Sequence, residues 1–183
     1  RNTVKAALTT GKQTFSSDFT KDRPISEVKV QPTDRGVEAA PTGTYEVEVG
    51  YTVTFTNTTD ANGSGSDIVL RPRVPAGFTL KNVTGTGTPW WIHEDDFIIQ
   101  PDNSVPLPTD QTLYANSSTT MTFTNTYTVN ADAITEEGWK ALGTCNPQDS
   151  SQGLTTRIDV AGSYAGIEAG THSTCTTVTR TKN

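Results

Sequence analysis

The stretch TYEVEVGYTVTFTNTT, residues 44–59, constrains the fold more than any other part of the chain. Tyr45, Val47, Val49, Tyr51, Val53, Phe55 and Asn57 fall on one side of a two-residue repeat, with Glu46, Glu48, Gly50, Thr52, Thr54 and Thr56 on the other. A period of two puts successive side chains on opposite faces of an extended strand, whereas a helix would scatter them around its axis. The pattern returns in TTMTFTNTYTVN, residues 119–130, where Met121, Phe123, Asn125, Tyr127 and Val129 alternate with Thr120, Thr122, Thr124, Thr126 and Thr128. Both stretches read as long, half-buried antiparallel strands, each with one wet face of threonine. Thr supplies about a fifth of the chain, and β-branched side chains at that density favour pleated sheet over helix.

Shorter strands are expected at 26–32, 66–74, 77–83, 97–100, 155–164 and 173–181, several of them separated by turn-forming runs such as DANGSGS, VPAG, QPDNSVPLP and NPQDSSQG. Seven or eight strands punctuated in this way suit a sandwich better than a barrel. One helical signal stands out, NADAITEEGWKALG at 130–143. Asn130 or Asp132 is the expected cap, Ile134, Trp139 and Leu142 the buried stripe, and Gly143 the stop. It reads as a short crossover helix. Residues 1–24 show little periodicity and read as a linker or the end of a preceding module, leaving 25–183 as the sandwich domain.

A net charge of −6 and a pI near 4.8, with no Lys/Arg cluster along the chain, argue against nucleic acid as a partner. No apolar run approaches the ~20 residues of a membrane span, so no membrane insertion is expected. The start RNTVKAALTT lacks the apolar stretch of a signal peptide, and the sequence reads as a mature piece or an excised fragment. Cys145 and Cys175 read as one disulfide made in an oxidising compartment, the alternative being two buried thiols.

Four features invite a functional reading. Trp90 and Trp91 run into His93, Glu94, Asp95 and Asp96; an outward Trp could stack on a sugar face while the carboxylates accept hydroxyl hydrogen bonds. The plainer reading makes this a strand and the turn after it. In DANGSGSD, Asp60, Asn62, Ser64 and Asp67 imitate the start of a Ca2+ loop, but Arg71 stands where the twelfth-position Glu belongs, and a flexible hairpin loop is the alternative. Asn125 interrupts an apolar face, where an unpaired amide would cost about 1–3 kcal/mol, so something must satisfy it. The tripeptides beginning at Asn57, Asn62, Asn82 and Asn116 match the N-glycosylation pattern, as chance allows in a chain this rich in Thr and Ser. Catalysis is not expected. Adjacent turn carboxylates are not a hydrolytic pair held across a cleft, and neither His93 nor His172 sits in a nucleophile motif.

The segment YTVTFTNTTDANGSGSDIVLRPRVPAGFTL, residues 51–80, resembles the conserved-repeat domain of Gram-positive, actinobacterial-type cell-surface proteins. That pattern runs from a Tyr-Thr-Val strand ending in Asn-Thr, through a Gly/Asp-rich turn and an Ile/Val strand, to Pro-Ala-Gly and a further strand. The Trp-containing stretch at 90–92, LYANSSTTMTFTNTYTV at 113–129, and Cys145 with Cys175 bracketing GLTTRIDVAG extend the likeness over about 45–180. The resemblance implies an extracellular β-sandwich, strung in arrays as a stalk or presented as an adhesin, without catalytic residues and with neighbouring modules of the same protein as partners. Related pilin domains can also crosslink a Lys to an Asn. Here the pair would be Lys29 and Asn125, although alternation with Val28 and Val30 turns Lys29 to solvent. No sorting signal closes the sequence at TRTKN, so anchoring would lie outside this segment.

The expectation is therefore all-β: an antiparallel, immunoglobulin-like sandwich of seven to eight strands with one short crossover helix and no resident cofactor unless Ca2+ binds. Its expected role is a non-catalytic structural or adhesive module at the cell surface or wall. A second reading makes it a ligand-binding adhesin domain that recognises a glycan or host extracellular protein through Trp90–Asp96.

Overall fold

The computed structural model describes residues 26–33, 36–64, 67–86, 97–107, 112–146, 148–161 and 170–182. Eleven strands are present among them: β1 (Ser26–Pro32), β2 (Gly36–Ala39), β3 (Thr44–Asn57), β4 (Gly63–Ser64), β5 (Asp67–Pro72), β6 (Phe78–Thr86), β7 (Val105–Leu107), β8 (Thr112–Leu113), β9 (Ser117–Asn130), β10 (Leu154–Ala161) and β11 (Gly170–Arg180). Seven have six or more residues, within the seven or eight the sequence suggested; the other four have four or fewer. Strands that short show no period in a sequence and escape notice.

The two stretches of strict alternation become β3 and β9, each fourteen residues long and paired antiparallel over their whole length, from Thr44 opposite Asn130 to Asn57 opposite Ser117. This ladder is about 45 Å long. It forms the centre of a sheet ordered β1-β3-β9-β6, which faces a second sheet ordered β2-β11-β10-β5-β7. Without the short edge strands β2 and β7, the two orders are those of an immunoglobulin constant-type sandwich. In one respect the fold is not purely antiparallel, because β2 runs parallel to β11 from Gly36 beside Thr177 to Ala39 beside Arg180. The chain rises through β1 against β3, passes Thr33, and continues upward as β2 in the opposite sheet.

The inward faces meet in one core. Tyr51, Phe55, Met121, Phe123 and Tyr127 come from the first sheet, and Ile68, Leu70, Leu154, Ile158 and Val178 from the second. Tyr51 stacks on Phe123 with ring centroids 5.4 Å apart, and Phe78 meets Tyr127 edge-on at 5.6 Å. Each such side chain contributes about 1.5–3 kcal/mol through burial. Outward from β3 and β9 lie the threonines, with Thr54 and Thr120 sharing a hydroxyl hydrogen bond of 2.8 Å across the ladder.

Two local expectations are corrected. FIIQ, residues 97–100, is not a strand: Phe97 packs on Phe123 at 6.0 Å, but Ile98 is 63% exposed and Gln100 begins a turn in which its amide reaches Ser104 and its carbonyl accepts from Asn103. The strand lies later, at β7, where Pro106 is tolerated because β7 is the sheet's edge. The helix, α1 (Glu136–Leu142), starts later than expected and is capped by Thr135, whose hydroxyl accepts from the Gly138 amide at 3.0 Å. Asn130 cannot cap it, being the last residue of β9, and Asp132 lies in a separate 3-10 turn at Ala131–Ala133. Ile134, Trp139 and Leu142 are buried and Gly143 ends the helix, as the stripe predicted. Among the described residues no helix is long and apolar enough to cross a membrane.

Candidate functional site

Trp90, Trp91, His93, Glu94, Asp95 and Asp96 lie outside the described residues, as do residues 1–25 before β1. The loop after β3 is described in part. Asp60 accepts a hydrogen bond from the Asn116 side chain at 3.0 Å, and Asn62 accepts from the Ala115 amide at 2.9 Å. Two of the four oxygens proposed for Ca2+ thus pin the turn that leads into β9, where Asn116 takes a positive φ of 51°. The side chains of Ser64 and Asp67 lie outside the described set. Among the described residues no group of three or more His, Cys, Asp or Glu side chains could hold a metal ion. Asn57 is fully buried, its side chain bonded to Thr59 and the Ala61 carbonyl, which removes it as a glycosylation acceptor.

Cys145 and Cys175 form a disulfide, with 5.9 Å between their Cα atoms. It ties the segment after α1 to the outer face of β11. Gly153 sits directly on it at φ 59°, and a Cβ there would lie 2.4 Å from Cys175 Sγ and 2.8 Å from Cys145 Sγ. Only glycine combines that left-handed backbone with so close an approach.

Asn125 is satisfied by side chains from both sheets rather than by backbone or by a lysine. Its Oδ1 accepts from the Tyr51 hydroxyl at 3.1 Å and its Nδ2 donates to Thr156 Oγ1 at 2.9 Å. Tyr127 donates to the Arg73 carbonyl at 2.9 Å. Burial pushes the pKa values of both phenols well above the ordinary range, so these hydroxyls stay neutral donors. Lys29 pairs in register with Thr54 and is exposed, which separates it from Asn125.

No basic cluster lies along the sequence, yet the fold assembles one. Arg71 and Arg157 are register partners on β5 and β10, and Arg73 follows Arg71 on the same face. With Ser150 and Thr155 they line a cleft of about 230 Å3. Asp159 receives Arg71 Nε at 2.7 Å and Arg157 Nε and Nη2 at 3.0 and 3.1 Å. Arg73 donates Nη1 to the Gly153 carbonyl at 2.5 Å, and burial lowers its pKa while Tyr127 and Asp149 act in the other direction. The one signal in the sequence was the spacing of Arg71 and Arg73; their convergence with Arg157 is set by strand register.

Among the described residues, the carboxylates with shifted pKa values shift downward. Burial works against the shift at Asp159 but is outweighed by Arg157 and Arg71; the Ser104 hydroxyl and amide hold Asp102 down, Ser151 does so for Asp149, and Arg180 for Glu136.

No family model matches the chain, and no curated protein is similar to it. Among solved structures it is similar to the major pilin subunit BcpA of Bacillus cereus, with 8% identity and a TM-score of 0.47 over 85% of this chain and 41% of that one. It is also similar to the bacterial hydrophobin BslA, with 13% identity and a TM-score of 0.40 over 86% of this chain and 97% of that one. A cohesin module from a family 33 glycoside hydrolase of Clostridium perfringens gives 10% identity and a TM-score of 0.41 over 85% and 98%. The chain therefore spans under half the length of the pilin subunit. Likenesses this distant carry no functional argument.

Proposed function

We propose that this chain is a non-catalytic extracellular module of a bacterial surface protein, a stalk or adhesin repeat that transmits tension between its neighbours. The observation that carries this reading is the direction of the chain at the two ends of the sandwich. It enters with Ser26 beside Asn57 at one end and leaves with Arg180 beside Ala39 at the other, where the Thr181 amide bonds to the Ala39 carbonyl at 2.8 Å. Tension applied along that line slides β1 against β3 and β2 against β11, so seven register pairs in one sheet and four in the other are loaded in shear. Pairs loaded in shear resist together, whereas pairs peeled from an end break one at a time. The disulfide adds a second restraint, because the 30-residue span it closes cannot extend until it is reduced. Such a bond persists in an oxidising compartment, which supports an extracellular setting.

The test is single-molecule stretching of a tandem array of the domain. A high, narrowly distributed unfolding force is expected, with each event lengthening by about 100 Å when the disulfide is reduced, the reach of the 30 released residues. Unfolding at the low force of a peeled hairpin would remove the mechanical reading.

A further inference from the structure

We propose that the cleft lined by Arg71, Arg73, Arg157, Ser150 and Thr155 binds the carboxylate of an acidic sugar, with Arg73 as the principal contact. Two like charges directly opposite each other on neighbouring strands destabilise a sheet, and Arg71 and Arg157 occupy such positions. Asp159 compensates that pair, bonding to both guanidinium groups. Arg73 has no such compensation. Among the described residues no carboxylate approaches it within ion-pair distance, and its one side-chain hydrogen bond is from Nη1 to the Gly153 carbonyl. Its Nε–Nη2 edge makes no hydrogen bond among the described residues, and such an edge offers two parallel N–H groups to a planar carboxylate. Asp102 reaches Arg71 only at 3.8 Å, and Asp149 acts on Arg73 through space.

The rest of the cleft fits a hydroxylated scaffold. The Ser150 hydroxyl makes no hydrogen bond among the described residues, and Thr155 donates to the Gln152 carbonyl at 2.8 Å while keeping acceptor capacity. Ser150 is placed by the disulfide-tied segment between α1 and β10, and Thr155 by the start of β10 itself. The net charge of −6 selects against a polyanion, since charges beyond the immediate contact repel it, but a single carboxylate is screened from the remainder within about 8–10 Å at physiological salt. A ligand with one carboxylate and several hydroxyls, a uronic acid or a similar acidic sugar, meets these conditions. A tension-bearing module need not carry such a site, so this proposal and the mechanical reading fail separately.

The experiment is a titration of 15N-labelled domain with sodium glucuronate, followed through the Arg side-chain Nε–H signals and the Ser150 and Thr155 amides, beside glucose, acetate and sulfate at matched ionic strength. Saturable shifts confined to these residues are expected with glucuronate, with weaker ones from acetate and none from glucose. Arg73→Gln should weaken binding by roughly tenfold or more, and Arg73→Lys, which keeps the charge but loses the fork, should do the same. Ser150→Ala leaves the Arg73–Gly153 contact untouched and removes a hydroxyl assigned to the sugar, so it should weaken glucuronate binding without changing the response to acetate, which keeps the test informative if the Arg73 variants do not fold. Absence of saturation with glucuronate, an equal response to acetate or sulfate, or unchanged affinity in folded Arg73→Gln would overturn the proposal.

Discussion

Asn125 shows how a polar residue can occupy the apolar face of a strand without weakening it. Buried completely, it joins Tyr51 beside it to Thr156 on the opposite sheet. Asn125→Leu keeps the volume but leaves two buried hydroxyls without their partner, and a loss of about 2–4 kcal/mol is expected by urea unfolding. Tyr51→Phe should cost less, about 1 kcal/mol, because Asn125 keeps Thr156. At Gly153 the expected effect is different in kind. Gly153→Ala meets the left-handed penalty of about 1–2 kcal/mol and also a contact with both sulfurs, so the variant should show free thiols in its intact mass or a lowered melting temperature. The sequence disclosed that Asn125 needed a partner but not which one, since Tyr51 and Thr156 are distant along the chain and only the packing of two sheets unites them.

The long strands were legible because fourteen residues of strict alternation admit one structure. Short elements were not. Four-residue β2 and three-residue β7 are defined by their neighbours, β11 and β5, rather than by any pattern of their own. For the same reason the three arginines of the cleft were unreadable, as pairing opposes Arg71 to Arg157 across a separation that no local motif records. The candidate tryptophan stretch is prominent in the sequence and falls outside the described residues, whereas of the cleft's arginines only Arg71 stands in a motif, and there as a departure from it. The crossover helix lies between these extremes: its buried stripe was plain, while its start was fixed by β9 running on to Asn130. Thr135→Ala should therefore destabilise the domain by about 1 kcal/mol, and Asp132→Ala should not remove the cap; chemical denaturation of the two variants distinguishes them.

At the level of the whole molecule, the two packed sheets, the disulfide and a set of surface carboxylates act together. Asp102, Asp149 and Asp159 have pKa values lowered by the fold. A carboxylate of this kind stabilises the native state above its unfolded pKa, near pH 4, and the contribution fades as pH falls through the folded value. The melting temperature should stay level from pH 7 to about 5 and decline below about pH 4, a profile that calorimetry measures directly. The threonine faces of β3 and β9 have a further consequence. Between Arg35 and Arg71, and again between Lys81 and Lys140, the chain has no lysine or arginine. Proteases that cut after basic residues therefore find no bond to cleave along either strand, folded or unfolded, and the longest ladder described in the molecule is also a part that such enzymes leave whole.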